Sequence, residues 1–157
     1  MKAKRYEAFS LIEILVVVAL IIILATITIV AINPGKNFRD TRNAQRSSDV
    51  NAILSAVTQY TTDGKTLPDE IVAGIVACDP EDWREGSAIG IGEDRVDLTF
   101  LTEEDNDYIV AIPTDPNATP PDAEGKYDSG YVICTIGTRI QIAAPEAEDE
   151  KEIVVRR

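Results

Sequence analysis

The sequence lacks several residue types on which catalytic sites commonly depend. It contains no histidine and only two cysteines in 157 residues. Without histidine, Ser-His-Asp and Cys-His nucleophiles and histidine metal ligands are excluded. A glycine-rich phosphate-binding loop is also missing. We therefore expect a protein that is not an enzyme and has no cofactor, apart from the calcium ion considered below.

Basic residues are few compared with acidic ones. Lysine and arginine total 15 against 27 aspartates and glutamates, which gives a formal net charge of −12. Most of the acidic excess lies after residue 65. Because such a surface repels phosphates, we expect no direct binding of nucleic acid.

One long apolar run, residues 9–32, dominates the N-terminal part of the chain, and Glu13 is its single charge. A helix rises about 1.5 Å per residue, so this run would extend roughly 36 Å, enough to cross a hydrocarbon core of about 30 Å. A charge at mid-span costs on the order of 2.5–3.5 kcal/mol on insertion scales. Glu13 therefore requires a specific explanation.

Two ordinary explanations of the run are a secretory signal peptide and a plain membrane anchor. A signal peptide has an apolar segment of about 7–15 residues followed by a small-x-small cleavage site. This run is longer, and Ala31-Ile32-Asn33 does not supply that site. A plain anchor would have no need of Glu13.

The start of the run resembles the processing and methylation motif of type IV prepilins and the related type II secretion pseudopilins. The residues that carry the resemblance are Ala8-Phe9-Ser10-Leu11-Ile12-Glu13-Ile14-Leu15-Val16-Val17. The family usually has glycine before the cleavage site, and Ala8 departs from this pattern. The resemblance is specific over residues 2–32 and loose over the rest of the chain.

The resemblance implies a leader, residues 1–8, that a prepilin peptidase removes between Ala8 and Phe9 before methylating the new amine. Glu13 would then be the fifth residue of the mature chain and would pair with an N-terminal amine during assembly. That amine belongs either to the same chain or to a neighbouring subunit. Further implied partners are other pilin or pseudopilin subunits, the membrane and an inner-membrane assembly platform.

Helical signal continues beyond the apolar run, over residues 33–63. Asn33-Pro34 either caps a second helix or kinks one long helix. An apolar face follows at helical spacing, and Gly64 suits the position after a helix end. The members of this face are Val50, Ile53, Leu54, Val57 and Tyr60.

Charged residues alternate along the same helix. They are Arg39, Asp40, Arg42, Arg46 and Asp49. One interpretation is a solvated helix face. The other is a basic collar that meets acidic neighbours in a filament.

The sequence predicts a β-rich head over residues 64–144. A charged tail, residues 145–157, follows it. This tail is either frayed or carries one strand at 153–155. Strand-like runs occur at 71–73, 96–101, 108–112, 131–136 and 139–143. Gly137-Thr138 is typical of a two-residue hairpin turn. The resemblance implies a pilin-like α+β fold, with a long N-terminal helix, half transmembrane and half amphipathic, packed by a small antiparallel sheet. Residues 112–116 and a later Gly-Tyr resemble the pseudopilin type of head.

Two further candidate sites lie in the head. Cys78 and Cys134 could form a disulfide if the domain is exported, and closing the intervening loop would contribute roughly 4 kcal/mol; the alternative is two free, partly buried thiols. Candidate calcium ligands are Glu103, Asp105 and Asp107, because carboxylate oxygens suit hard cations. The alternative is that these residues form a solvated acidic loop. A second loop offers Asp115, Asn117, Asp122 and Asp128 instead.

The expected function is a structural subunit that polymerises through its N-terminal helix into a type IV pilus or a secretion pseudopilus. It would occupy the inner membrane as a single-pass protein and then an extracellular or periplasmic filament. One alternative is a minor pilin-like binding module for DNA, a surface or an exported substrate. Another is a single-pass anchored domain that never polymerises. The sequence distinguishes neither pilus from pseudopilus nor a major from a minor subunit.

Overall fold

The computed structural model describes residues 9–103 and 107–157. The chain divides into two compact units, with the boundary between Phe38 and Arg39. The fold class is α+β, as the sequence predicted. The elements in chain order are α1 (Leu11–Ile32), α2 (Pro34–Thr62), α3 (Asp69–Gly74), β1 (Ser87–Ile91), β2 (Arg95–Val96), a 3₁₀ helix (Thr99–Thr102), β3 (Tyr127–Ile136), β4 (Arg139–Ala143) and β5 (Val154–Arg156).

Asn33 separates α1 from α2. Its backbone has φ 46° and ψ 71°, a left-handed conformation that ends α1. Its side-chain oxygen accepts a hydrogen bond from the Lys36 amide at 3.3 Å, and its carbonyl accepts from the same amide at 3.1 Å. Pro34 takes the first position of α2, where a missing N–H costs nothing. Asn33 thus caps a second helix, the first of the two arrangements that the sequence allowed.

The second half of α2 provides one side of the hydrophobic core in the unit 39–157. All five residues of the predicted apolar face are buried. They join buried side chains from the sheet and its connections, among them Leu98, Leu101, Tyr131, Ile133 and Ile142. The helix ends at Thr62, and Gly64 follows with φ 80°, so the predicted stop is confirmed.

The five strands form one sheet in the order β2-β1-β3-β4-β5. The central hairpin is the one that the sequence predicted: β3 and β4 are antiparallel, Ile136 pairs with Arg139, and Gly137 has φ 61°. Glycine is favoured at that turn position because it adopts positive φ without steric cost.

The expected antiparallel sheet is a mixed one. β2 pairs with β1 in parallel, through Ala88 with Arg95 and Ile89 with Val96. Parallel neighbours ordinarily need a long crossover. Here Gly92 (φ 148°) and Asp94 (φ 57°) fold the short connection back on itself, and β2 is only two residues long.

Three predicted strands are wrong or mostly wrong. Residues 71–73 belong to α3, whose first turn follows Pro68 and contains two acidic residues. In 96–101 only Val96 is in a strand. The Asp97 carboxylate accepts a hydrogen bond from the Thr99 amide at 2.8 Å, and the 3₁₀ helix begins there. Residues 108–112 place Tyr108, Ile109 and Ile112 against the core without pairing as a strand. Apolar residues of all three runs pack against the core, although Val72 and Val110 are exposed.

The sequence also failed to predict β1, and it left the tail undecided. β1 contains Gly90, which weakens a strand signal. The tail carries β5, which pairs antiparallel with β4, and Ile153 just before it is 9% exposed. Residues 145–157 are therefore part of the head.

Gly130 lies in β3 with φ 79°, and a Cβ there would stand 2.6 Å from the Asp115 Cβ. We predict that Gly130→Ala lowers the free energy of unfolding by roughly 2–5 kcal/mol, from left-handed strain plus the clash. The matched control is Gly125→Ala, at φ 78° with no atom within 4 Å. It should lower the free energy of unfolding by about 1–2 kcal/mol, the contribution of left-handed strain alone. Denaturant unfolding measures both variants. An equal loss of unfolding free energy in the two would show that the contact with Asp115 does not contribute.

Candidate functional site

The surface of α1 is apolar around its whole circumference. None of its residues is buried, and the large side chains from Leu11 to Ile32 are each about half exposed or more. The described part of the chain contains one helix long and apolar enough to cross a membrane, and it begins at Leu11. A helix that is apolar all round needs apolar surroundings on every side.

Two threonines interrupt the apolar surface of α1 without leaving polar groups unsatisfied. The hydroxyl of Thr26 donates to the Ile22 carbonyl and that of Thr28 to the Leu24 carbonyl, both at 2.8 Å. Hydrogen bonds to the preceding turn are how such hydroxyls are satisfied in hydrocarbon. The helix therefore presents no unpaired hydroxyl to lipid or to a neighbouring helix.

Glu13 lies in the first turn of α1 and accepts a hydrogen bond from the Ser10 backbone amide at 3.4 Å. This is the carboxylate half of a capping box, and a negative charge is favoured at a helix N-terminus. Phe9 is 78% exposed. Ala8, the other residue of the predicted cleavage site, lies outside the described residues.

Cys78 and Cys134 are joined by a disulfide, with their Cα atoms 4.9 Å apart. Beside it Ala77 forms an isolated bridge with Thr135, so the bond ties the segment after α3 to strand β3. This is the paired alternative of the two that the sequence left open.

The calcium candidates lie only partly within the described residues. Asp105 lies outside the described residues, and Glu103 and Asp107 are exposed on either side of the gap. Within 9–103 and 107–157 no group of three or more acidic, cysteine or histidine side chains could hold a metal ion. In the second loop the Asp115 carboxylate is already engaged by Arg46.

Three arginines of α2, Arg39, Arg42 and Arg46, form ion pairs within the unit 39–157. Arg39 pairs with Asp149 at 2.8 Å, Arg42 with Glu148 at 2.5 Å, and Arg46 with both Asp115 and Glu148. The solvated-face interpretation is therefore wrong for Arg46, which is buried, while Arg39 and Arg42 stay partly exposed. The collar that meets neighbouring subunits stays a prediction.

Arg46 is the centre of this cluster. Its Nε donates to Asp115 Oδ2 at 2.6 Å and its Nη2 to Asp115 Oδ1 at 3.0 Å, a bidentate pair. The two side chains are 0% and 2% exposed. The Asp115 carboxylate holds the pKa of Arg46 above its usual range, chiefly through these hydrogen bonds. A buried guanidinium in this position is fully charged and fully paired.

Glu148 joins the tail to two arginines and to Asn43. Its carboxylate accepts from Arg42 Nε at 2.7 Å and from Arg46 Nη1 at 3.0 Å. Its backbone amide donates to Asn43 Oδ1, and its carbonyl accepts from Asn43 Nδ2, both at 2.9 Å. Hydrogen bonds from Arg42, followed by those from Arg46, lower the pKa of Glu148 to about 2.

A second buried polar contact lies one helical turn further on. The Tyr131 hydroxyl donates to Asp49 Oδ2 at 2.7 Å, and Gln45 donates to the other oxygen at 2.8 Å. Burial, and then the hydrogen bond to Asp49, raise the pKa of Tyr131 far above its usual range. Among the described residues every buried side-chain nitrogen and oxygen has a hydrogen-bond partner.

Sequence reasoning named Asp115 only as a possible calcium ligand and did not single out Glu148, so it missed both as partners of Arg46. One signal was present: Arg46 lies four residues before Val50, in line with the apolar face of α2. A cation on the buried stripe of a helix requires a buried anion. No pattern along the chain, however, indicates which of 27 acidic residues supplies it.

Because the pKa of Glu148 is lowered from 4.5 to about 2, its contribution to stability is present above pH 4.5 and is lost as the pH falls toward 2. We predict that Glu148→Gln has a lower free energy of unfolding than the wild type at pH 7. The difference in this free energy should shrink as the pH falls from 4.5 toward 2. Near-ultraviolet circular dichroism of the full chain in detergent, titrated with urea, would measure it. Exposed Glu146→Gln is the matched control, and a difference independent of pH would refute the linkage.

No protein family model, curated protein or solved structure matches this chain.

Proposed function

We propose that this protein is a structural pilin-like subunit that polymerises through its N-terminal helix into a type IV pilus or a secretion pseudopilus. A prepilin peptidase would first remove residues 1–8. The chain would lie in the inner membrane before assembly and in an extracellular or periplasmic filament afterwards. Its partners would be other subunits of the same kind and the membrane assembly platform.

The observation that carries the proposal is the surface of α1, apolar on all sides with Glu13 as its only charge. Fully burying one aliphatic side chain is worth about 1.5–3 kcal/mol. Lipid covers such a surface before assembly, and α1 helices of neighbouring subunits could cover it afterwards. A plain anchor would be satisfied by lipid, and Glu13 would then serve only as the capping carboxylate of the first turn.

Cleavage before Phe9 would give Glu13 a new partner. A free α-amine ordinarily has a pKa of about 7.7–8.0 and remains protonatable after methylation. Among the described residues the Glu13 carboxylate accepts a hydrogen bond from an uncharged donor, the Ser10 amide. A cationic amine one turn away, or on a neighbouring subunit, would bind the carboxylate more strongly. Processing would thereby change the surface that α1 offers to the next subunit.

The charge distribution of the head supports the proposal. Its arginines on α2 are neutralised internally, so the acidic excess is left on the outside. Such a surface favours solubility and opposes binding of nucleic acid. The alternative of a minor subunit that captures DNA through its head is correspondingly weaker.

Mass spectrometry of the mature N-terminus tests the processing step. We expect a chain that begins at Phe9 and carries one added methyl group. A chain beginning at Met1 in assembled material would refute the proposal. A chain that begins after residue 32 would identify α1 as a cleaved signal sequence.

Glu13→Gln tests the assembly step, because it removes the charge and keeps the shape. We expect processing at Phe9 to continue and the yield of sheared surface or periplasmic filaments to fall at least about tenfold, the loss expected when one charge-assisted hydrogen bond is weakened. Glu13→Asp, which keeps the charge, is the matched control and should retain more filament. Undiminished assembly of a correctly processed Glu13→Gln chain would refute the role of the carboxylate.

Filament composition separates the proposal from its alternatives. If the protein is the main subunit, it should be abundant in purified filaments, and its deletion should abolish them. A minor binding module would be scarce in filaments, and a non-polymerising anchored domain would be absent from them.

A further inference from the structure

The tail of the chain turns sharply where it meets α2. Asp149 and Glu150 are consecutive and both left-handed, with φ 57° and 55°. A residue other than glycine pays roughly 1–2 kcal/mol in this conformation. Two such residues in a row persist only when the surrounding contacts hold them.

The contacts that hold this turn flank it on both sides. Before the turn, Glu148 is bound by Arg42, Arg46 and Asn43. After the turn, Lys151 Nζ pairs with Asp40 at 2.7 Å, and Asp149 itself pairs with Arg39. The side-chain anchors all come from residues 39–46 of α2, and the Lys151 amide also donates to the Glu148 carbonyl at 3.3 Å across the turn itself. One short stretch of helix and this backbone bond therefore determine the path of the tail.

The anchors are unequal in strength. The pairs of Asp149 and Lys151 are each more than a third exposed, and exposed pairs contribute about 0–1 kcal/mol. Glu148 is the exception, since its carboxylate is bound by two arginines and its backbone by Asn43. The strained turn therefore depends mainly on Glu148.

The rest of the tail is held lightly. β5 has three residues, lies at the edge of the sheet and pairs only with β4. Within the tail, residues 145–157, Ile153 is the single well-buried apolar side chain, and it lies just before β5. Segments with few buried contacts open first in a folded protein.

We propose that residues 145–157 form a strained latch that opens as a unit before the rest of the head and, when closed, neutralises Arg39 and Arg42 within one subunit. Opening releases the left-handed strain at Asp149 and Glu150. It also uncovers two guanidinium groups on α2, while Arg46 keeps its pair with Asp115. The latch concerns the head alone and does not depend on whether the chain polymerises.

Hydrogen exchange of the full chain in detergent micelles, read by mass spectrometry, tests the latch. In the wild type we expect amides of 144–157 to exchange faster than those of 50–60 in α2. If both segments exchange at the same rate, the head opens only as a whole and the latch does not exist.

Two matched pairs of variants separate strain from ion pairing. Glu150→Gly relieves the strain and should slow exchange of 144–157 about threefold relative to Glu150→Ala, which removes the same charge but keeps the strain. Glu148→Gln should speed that exchange at least about tenfold relative to Glu146→Gln. In all four variants the exchange of 50–60 should stay at the wild-type rate. The proposal fails if Glu150→Gly exchanges no more slowly than Glu150→Ala.

Discussion

The arrangement of the head depends on one buried cation, Arg46. Its guanidinium is removed from water and engages the bidentate carboxylate of Asp115 and the carboxylate of Glu148. These two acids are 69 and 102 residues away along the chain. Removing one partner of a buried pair typically costs about 3–5 kcal/mol, since it leaves a buried charge uncompensated. The packing that satisfies Arg46 must bring the loop before β3 and the tail after β4 to the same turn of α2.

The neighbouring contacts follow from that requirement. Asp115 can reach Arg46 only if Gly130 has no side chain, because a Cβ there would collide with it. Tyr131, the next residue, then reaches Asp49 one turn along α2 from Arg46. The Gly-Tyr pair and the Asp-Pro stretch, which the sequence indicated only by resemblance, thus belong to one polar cluster. Glu148 of the tail is the remaining acid of this polar cluster, and the strained turn at Asp149 and Glu150 follows it directly.

The two units of the chain make opposite demands on their surroundings. The helix α1 exposes apolar side chains throughout and requires lipid or other helices. The unit 39–157 buries its own core and pairs Arg39, Arg42 and Arg46 of α2 with acids of the same unit. This division is what a subunit needs if it is to polymerise through one element and keep its head folded in both environments. The proposed function rests on that division together with the residues around the cleavage site.

The parts of this protein that could be predicted from its sequence are those determined by neighbours along the chain. The apolar run, the 50–60 face, the stop at Gly64 and the 136–139 hairpin each depend on spacing or turn chemistry within a few residues. Strands 71–73 and 108–112 were predicted wrongly because Ile71, Ile109 and Ile112 pack against the core from a helix or a loop. A short apolar run of this kind looks the same in sequence as a strand. Only the tertiary structure decided that Cys78 meets Cys134, that β2 runs parallel to β1, and which acids Arg46 binds. These contacts join residues that are far apart in the chain. Burial and the need to pair a buried charge determine the partner, and the local sequence does not indicate which residue it is.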